Sequence, residues 1–477
     1  CARILNILFF VSAAPFIYLI GSRITGKKTA LLIAVLSLLA PVNVYTAFFM
    51  TESMYFFAFW VFTWFFLRTI RQQDILQWLL LGILLGLAAL VKPHAIFLLP
   101  ALAALFIIFS RQGGDVSASR KVSLYAVFFA AAIATKFGIG FLLAGKPGLT
   151  ILGTSYTTLA SKSMTDPSQY SKLALLVLEN LRGHLLAIAL LFSVPMAQAL
   201  LSFKYFFQKH DAQDASIPLK LYAATVFAVL LGVVTLFTAS VAGSGPFETI
   251  ARLHMRYYSF AFPLLLLVAA SQLSPDAAVT VRRWRTIVAV PIGAAILYAM
   301  LMKFVAYTPN FVDSPSLRGI TFDPIIFYTL SILSLVSLLA WVSRPGLGAE
   351  IFVYIFLPLS LTISTIYVDQ DLEKRHVPDV YDKAGMFAKQ YLFWEKFPDI
   401  LVVGESDNGM LRAMFHLDNP AATMKSIAKI NAMPKPELSK MLSNKKWILA
   451  VGNHPLPQGT DFKVPLNGFV LATVPGS

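Results

Sequence analysis

Apolar residues along this chain fall in long unbroken runs, with neither the strict alternation of a strand nor the striping of a soluble helix. At least ten stretches are apolar for about 17 or more residues, the length at which a helix crosses a bilayer. Set against the loop signals, the pattern predicts about twelve spans. Their cores lie near 4–20, 29–49, 54–70, 75–91, 95–109, 122–144, 184–203, 221–243, 259–273, 286–306, 324–342 and 351–368. Beyond residue 368 the pattern changes. Asp399–Gly404 and Lys446–Gly452 read as buried strands and Phe469–Val474 as a third, with helical periodicity over 380–394 and 406–416 and Pro and Asn breaks between. The expected fold is a polytopic α-helical membrane protein, residues 1–368, followed by a small α/β domain, residues 369–477.

Composition sharpens this reading. Of 477 residues, 57% are hydrophobic and 13% charged, about half the charged fraction of a soluble domain. A soluble protein is excluded, and so is a β-barrel, whose strands are shorter and alternate in polarity. The net charge of +15 is unevenly spread: residues 1–368 carry 26 basic against 12 acidic residues, the tail 13 against 12. The excess sits in loops between spans, so it speaks for a membrane and against nucleic acid. A single cysteine, Cys1, leaves no disulfide framework and no thiolate metal site.

Lys and Arg in alternate loops set the orientation. The loops 21–28 (Arg23, Lys27, Lys28), 68–74 (Arg68, Arg71), 110–121, 204–220 (with Lys209), 274–285 and 343–350 fall on one side, read as cytoplasmic. The turns 50–53, 92–94, 145–183, 244–258 and 307–323, and the tail from Asp369, fall on the other. Cys1 then stands outside, opening an inward-going span with no Met before it. The expectation is a fragment lacking its first span and first external loop; the rival is a processed lipoprotein-type Cys.

Soluble-enzyme motifs find no support. Gly21-Ser-Arg-Ile-Thr-Gly26-Lys27-Lys28 comes near the phosphate-binding loop, but Lys28 stands where a hydroxyl belongs and no βαβ unit surrounds it. It reads as a basic turn. Gly404-Glu-Ser-Asp-Asn-Gly409 lacks dinucleotide-loop spacing and reads as a strand-to-helix turn capped by Ser406 or Asp407. There is no H-E-x-x-H, no G-x-S-x-G and no Cys/His cluster.

The remaining chemistry lies in charges at the outer ends of spans. Glu52 is the only acid among the first 73 residues and sits in a turn too short to leave the membrane boundary. It is either a costly, functional ionisable group or a first-turn acid behind an N-capping Thr51. Lys92-Pro93-His94 makes up the next external turn. Two donors on a Pro-fixed turn suit a phosphate, although Lys92 could equally snorkel while His94 caps. The third cluster runs Glu248-Thr-Ile-Ala-Arg252-Leu-His254-Met-Arg256-Tyr257-Tyr258. On a helix, Arg252 and Arg256 would share one face with His254 at its edge. A guanidinium pair suits phosphate or pyrophosphate, whereas Tyr257 and Tyr258 also fit an aromatic belt. Lys136, inside the sixth span, implies a polar cavity, and Lys303 snorkels. The segment 145–183, with Tyr156, Lys162, Asp166, Tyr170 and Lys172 and an amphipathic stretch through Glu179, Arg182 and His184, has the length of a lid.

At these residues the chain resembles the GT-C superfamily of membrane glycosyltransferases, which includes protein mannosyltransferases and the lipid A aminoarabinose transferase. The residues are Ala2 to Asn6 opening an inward span, the Arg23…Gly26 turn, Pro41, Thr51-Glu52, Lys92-Pro93 after a leucine- and glycine-rich span, and Arg256-Tyr257…Pro263. The similarity is clearest over about the first 110 residues and near 250–270, and the tail is similar to C-terminal domains of the superfamily. The resemblance implies an inverting transfer of a hexose or pentose from a polyprenyl-phosphate donor to a glycolipid, polysaccharide or protein on the outer face. In the family the principal catalytic Asp precedes the span matching 4–20, a loop this chain does not contain. Glu52 matches a second acid that would orient a substrate, or bind a divalent cation (magnesium or manganese) where a member uses one. Lys92 would hold the lipid phosphate; Arg256 and Tyr257 would contact donor phosphate or sugar. His94, Arg252 and His254 join them on local chemistry alone. Two other classes stay open: a transporter or flippase of a lipid-linked substrate, and a non-catalytic member of the superfamily. Compact loops suit a bacterial inner membrane with the tail in the periplasm; an endoplasmic reticulum enzyme would share the orientation.

Overall fold

The computed structural model describes residues 2–48, 50–70, 72, 74–112, 117–151, 168–206, 216–243, 248–274, 281–374, 377–431, 441–442, 445–452 and 463–474. Cys1, Arg71, Tyr156, Lys162, Asp166 and Lys209 lie outside the described residues. The chain forms two compact units, Cys1–Gln370 and Asp371–Ser477.

The first unit is helical. It opens with α1 (Ala2–Ser12) and α2 (Ala14–Gly21), then α3 (Lys27–Leu39), α4 (Glu52–Thr69), α5 (Ile75–Val91), α6 (Leu99–Gln112) and α7 (Ala118–Ala144). Helices Ser168–Leu191, Ser193–Ser202, Ser216–Val241, Phe262–Ala270, Arg282–Met302, Pro324–Ser343 and Leu357–Glu373 follow, among shorter pieces. Among the described residues, seven segments are long and apolar enough to cross a membrane: Ala2–Gly21, Ala118–Ala144, Tyr170–Leu191, Ser216–Val241, Arg282–Met302, Pro324–Ser343 and Pro345–Glu373. This is a multi-pass membrane protein.

The expected count of about twelve is not confirmed: Ile75–Val91, Pro93–Phe109 and Ser259–Leu273 are apolar helices of shorter length, and proline interrupts some of the expected runs. Pro41 cannot continue α3, since it lacks an N–H and clashes with the preceding turn. The chain goes on as a 3-10 turn, Pro41–Thr46, so the run 29–49 is no single helix. Pro93 likewise starts a 3-10 segment, Pro93–Leu98, ahead of α6. The run 259–273 resolves into a 3-10 turn, helix Phe262–Ala270 and another 3-10 turn. That nine-residue helix has every residue buried, as expected of a helix apolar on all sides. The segment 145–183 is helical from Ser168 onward, so Tyr170, Lys172, Glu179, Arg182 and His184 lie on a helix rather than in a loop. Lys136 is buried within α7, and Lys303 caps the Arg282–Met302 helix at a left-handed φ of 49°.

Close packing explains two glycines of α5. Gly82-Ile-Leu-Leu-Gly86 is a G-x-x-x-G pattern, which lets helix backbones approach. A Cβ on Gly86 would meet Thr135 Cβ at 2.6 Å and the Ala132 carbonyl at 2.7 Å, and one on Gly82 would strike the Phe128 carbonyl. α5 is thereby pressed against α7, and its C-terminal end, with Lys92, is held in place.

The second unit holds a five-stranded sheet of order β2-β1-β3-β5-β4: β1 (Ile400–Gly404), β2 (Thr423–Ser426), β3 (Trp447–Val451), β4 (Lys463–Leu466) and β5 (Phe469–Thr473). β1 runs parallel to β2 and β3, while β5 is antiparallel to β3 and β4. Ile400, Val402, Leu449 and Leu471 pack on one face with Ala384, Ala388, Met410 and Ala413 of helices Val380–Tyr391 and Asp407–Leu417. Leu401, Val403, Ile448 and Ala450 face Ile427 and Ile430 on the other, the two-fold alternation of a sheet covered on both sides. Ser406 caps its helix, accepting from the Gly409 N–H at 3.1 Å.

Candidate functional site

Three parts of the first unit converge at one end of α4 and α5. Because the two helices are antiparallel neighbours, the N-terminal residue of α4, Glu52, lies beside the residue ending α5, Lys92. Each charge sits at the helix end whose dipole favours it. Thr51 makes no side-chain capping bond; instead Lys92 Nζ donates to Glu52 Oε1 at 2.9 Å. Lys92 is 7% exposed, so this is a buried ion pair and not a snorkelling lysine. Its ammonium also lies 5.4 Å from the Tyr257 ring centre and 5.9 Å from that of Tyr55, a cation over aromatic faces.

The third part is the segment before the buried Phe262–Ala270 helix. Arg252 and Arg256 do not share a helix face, because the stretch is irregular apart from a 3-10 turn at Met255–Tyr257. They meet through a carboxylate 61 residues from Arg252 in the chain: Arg252 Nε donates to Asp313 Oδ2 at 2.7 Å, and Arg256 Nε lies 3.5 Å from Asp313 Oδ1. Asp313 is 1% exposed. Burial opposes its charge, but the Arg252 hydrogen bond, the Arg256 charge and an Asn310 hydrogen bond hold its pKa below the usual carboxylate value. The Arg256 backbone N–H also donates to the Asp313 carbonyl at 2.7 Å, and the Tyr45 hydroxyl to that of Val312 at 2.8 Å. From behind, helix Ser168–Leu191 braces the segment. Asn180 donates to the Ile250 and Arg252 carbonyls at 2.8 and 3.1 Å, and His184 Nδ1 lies 2.6 Å from the Tyr258 hydroxyl.

The expected residues therefore divide. Glu52, Lys92 and Arg256 line one small pocket together with Tyr45, Tyr55 and Ser259. Its closed interior is about 10 Å³, on the order of one water molecule. Tyr257 and His94 form a layer beside it, rings stacked at 4.6 Å, and Arg256 Nη2 donates to the Tyr257 hydroxyl at 3.1 Å. Arg256 Nε makes no hydrogen bond although buried; it faces Asp313 Oδ1 at ion-pair distance. Arg252 and His254 do not line this pocket. Arg252 is held between Asp313 and Glu248, with Nη1 2.7 Å from Glu248 Oε1, and His254 Nδ1 lies 2.9 Å from the Thr238 hydroxyl. Burial, helped by Arg252 and Arg256 and opposed by Asp313, lowers the His254 pKa, so its ring is neutral at physiological pH.

Asp313 was absent from the residues singled out by sequence. The signal that could have found it is scarcity: it is one of 12 acids in residues 1–368 and stands on an outer turn. As for a metal, Glu52 is the one carboxylate of the pocket, and no group of three His, Cys, Asp or Glu among the described residues could hold an ion.

Residues 1–139 match the family model described as dolichyl-phosphate-mannose-protein mannosyltransferase. The matched stretch carries Glu52, Lys92 and His94 and stops short of the Arg252–Tyr257 cluster. No curated protein matches the chain.

Proposed function

We propose that the chain is an integral-membrane glycosyltransferase of GT-C type. It moves a hexose or pentose from a polyprenyl-phosphate donor to a glycolipid, polysaccharide or protein acceptor at the membrane face where Glu52, Lys92 and Arg256 lie. In this reading that face is periplasmic, the membrane is a bacterial inner membrane, and the second unit lies on the same side. The observation that carries it is the buried Glu52–Lys92 pair beside Arg256, one carboxylate and two cations lining a single pocket.

The closed pocket admits no sugar, so the pair must part on binding. An incoming phosphate takes over Lys92 and is drawn to the Arg256 guanidinium, and its negative charge replaces that of Glu52 in the exchange. The released carboxylate then accepts a hydrogen bond from the acceptor hydroxyl. The acceptor oxygen bonds to the anomeric carbon from the face opposite the phosphate, and the bond from that carbon to the phosphate oxygen breaks. The hydroxyl proton passes to a carboxylate, and the electron pair leaves with the lipid phosphate, whose growing charge the two cations stabilise. Tyr257 fixes the Arg256 fork. The reading rests on two cations and one carboxylate lining the same pocket.

Glu52→Gln and Arg256→Ala are expected to abolish transfer of sugar from a polyprenyl-phosphate donor in membrane vesicles while both proteins accumulate in the membrane. Transfer at the normal rate by both variants sinks the site.

A further inference from the structure

A second cavity lies at the opposite end of α4. It has a volume of about 550 Å³, and its walls include Arg23, Arg68, Trp64, Gln72, Ile24 and Pro218. Sixteen residues of helix separate Glu52 from Arg68, about 24 Å at 1.5 Å per residue, so this cavity is distinct from the pocket just described.

Its wall elements are helix ends. Arg23 follows the Ala2–Gly21 span, Arg68 lies in the last turn of α4, and Pro218 is in the first turn of Ser216–Val241. The cavity therefore sits at a membrane–water boundary, with the exposed Leu19 and Leu31 on the flanking helices. Both guanidinium groups are solvent-exposed, and among the described residues neither is paired with a carboxylate. Asp74, the acid of the adjoining turn, is occupied in capping α5, accepting from the Leu76 N–H at 3.0 Å. Arg68 instead lies 5.7 Å from the Trp64 ring centre, and the Trp64 indole N–H is buried with no acceptor. Two unpaired forked cations at one cavity suit a phosphate. An interfacial location beside lipid-facing leucines suits one that carries acyl chains. A loop arginine that only anchors a span needs no such cavity.

We propose that this cavity binds the phosphate headgroup of an anionic bilayer lipid from the leaflet opposite Glu52. The two arginines grip the phosphate oxygens, and the acyl chains lie along the outer faces of α2 and α3.

The test is native mass spectrometry of the full chain released from nanodiscs of phosphatidylcholine with a minor share of phosphatidylglycerol. The wild type is expected to retain phosphatidylglycerol about tenfold more strongly than R23Q/R68Q, the loss anticipated for two solvent-exposed charge pairs. R23K/R68K, which keeps both charges, is expected to fall between them, and single R23Q replaces the double variant if the latter misfolds. Equal retention by wild type and the charge-loss variants overturns the proposal. Displacement of the lipid by millimolar inorganic phosphate also overturns it, because the cavity would then be a site for a free anion.

Discussion

Lys92 is a residue whose meaning turns on what it touches. As a point charge at the end of an apolar run it fits snorkelling, but 2.9 Å from Glu52 and 7% exposed it is one half of a buried pair. Breaking such a pair leaves an uncompensated charge and costs about 3–5 kcal/mol, whereas removing both partners costs far less. Lys92→Met should therefore lower the thermal unfolding midpoint in detergent markedly, and Lys92→Met with Glu52→Gln should recover most of the loss. Additive losses would mean that the pair is not coupled in solution. Glu52 and Lys92 were legible as charges near hydrocarbon, each with a structural reading beside the functional one. Their bond, 40 residues apart in the chain, was not, and neither was Asp313 gripping Arg252 and lying beside Arg256. Local spacing put the two arginines on a helix; a distant carboxylate brings them together without one.

Among the elements, α5 and α7 show most plainly how sequence becomes geometry. Gly82 and Gly86 stand one helical turn apart, and a side chain at either would collide with α7. Gly86→Leu is expected to destabilise the protein by about 1–3 kcal/mol through overpacking and, by tilting α5, to disturb Lys92. Gly138→Ala, at a helical position with open space around it, should be neutral or slightly stabilising. Unfolding of both variants in the same detergent checks the contrast; equal effects would refute the packing argument. Helix boundaries were the less legible part. Apolar runs show where a chain avoids water, but Pro41 and Pro93 decide where the hydrogen-bond ladder stops.

For the molecule as a whole, acid is expected to act on the second unit through one carboxylate. In the second unit Asp382 belongs to the capping box of Val380–Tyr391, accepts from Arg412, and has His416 Nε2 3.1 Å from Oδ1. Burial opposes its charge, but the Asp379 backbone N–H, Arg412 and His416 outweigh that and hold its pKa below the usual carboxylate value. The unfolded chain therefore takes up this proton first. The stability conferred by Asp382 is present above about pH 4 and drains away as the pH falls below it. Hydrogen exchange on the full chain should show the 380–391 and 407–417 helices losing protection on acidification from pH 5 to 3, and Arg412→Gln should flatten that dependence. An unchanged profile in Arg412→Gln would remove Asp382 from the account. By itself the sequence determined the membrane class, the change of character near residue 368 and the three longest strands, since each follows from hydropathy and periodicity along neighbouring residues. Only the tertiary structure decided where the apolar runs break into separate helices, which charges are paired, and that Glu52, Lys92 and Arg256 share one pocket. Those outcomes depend on contacts between residues tens to hundreds of positions apart, where local pattern carries no information.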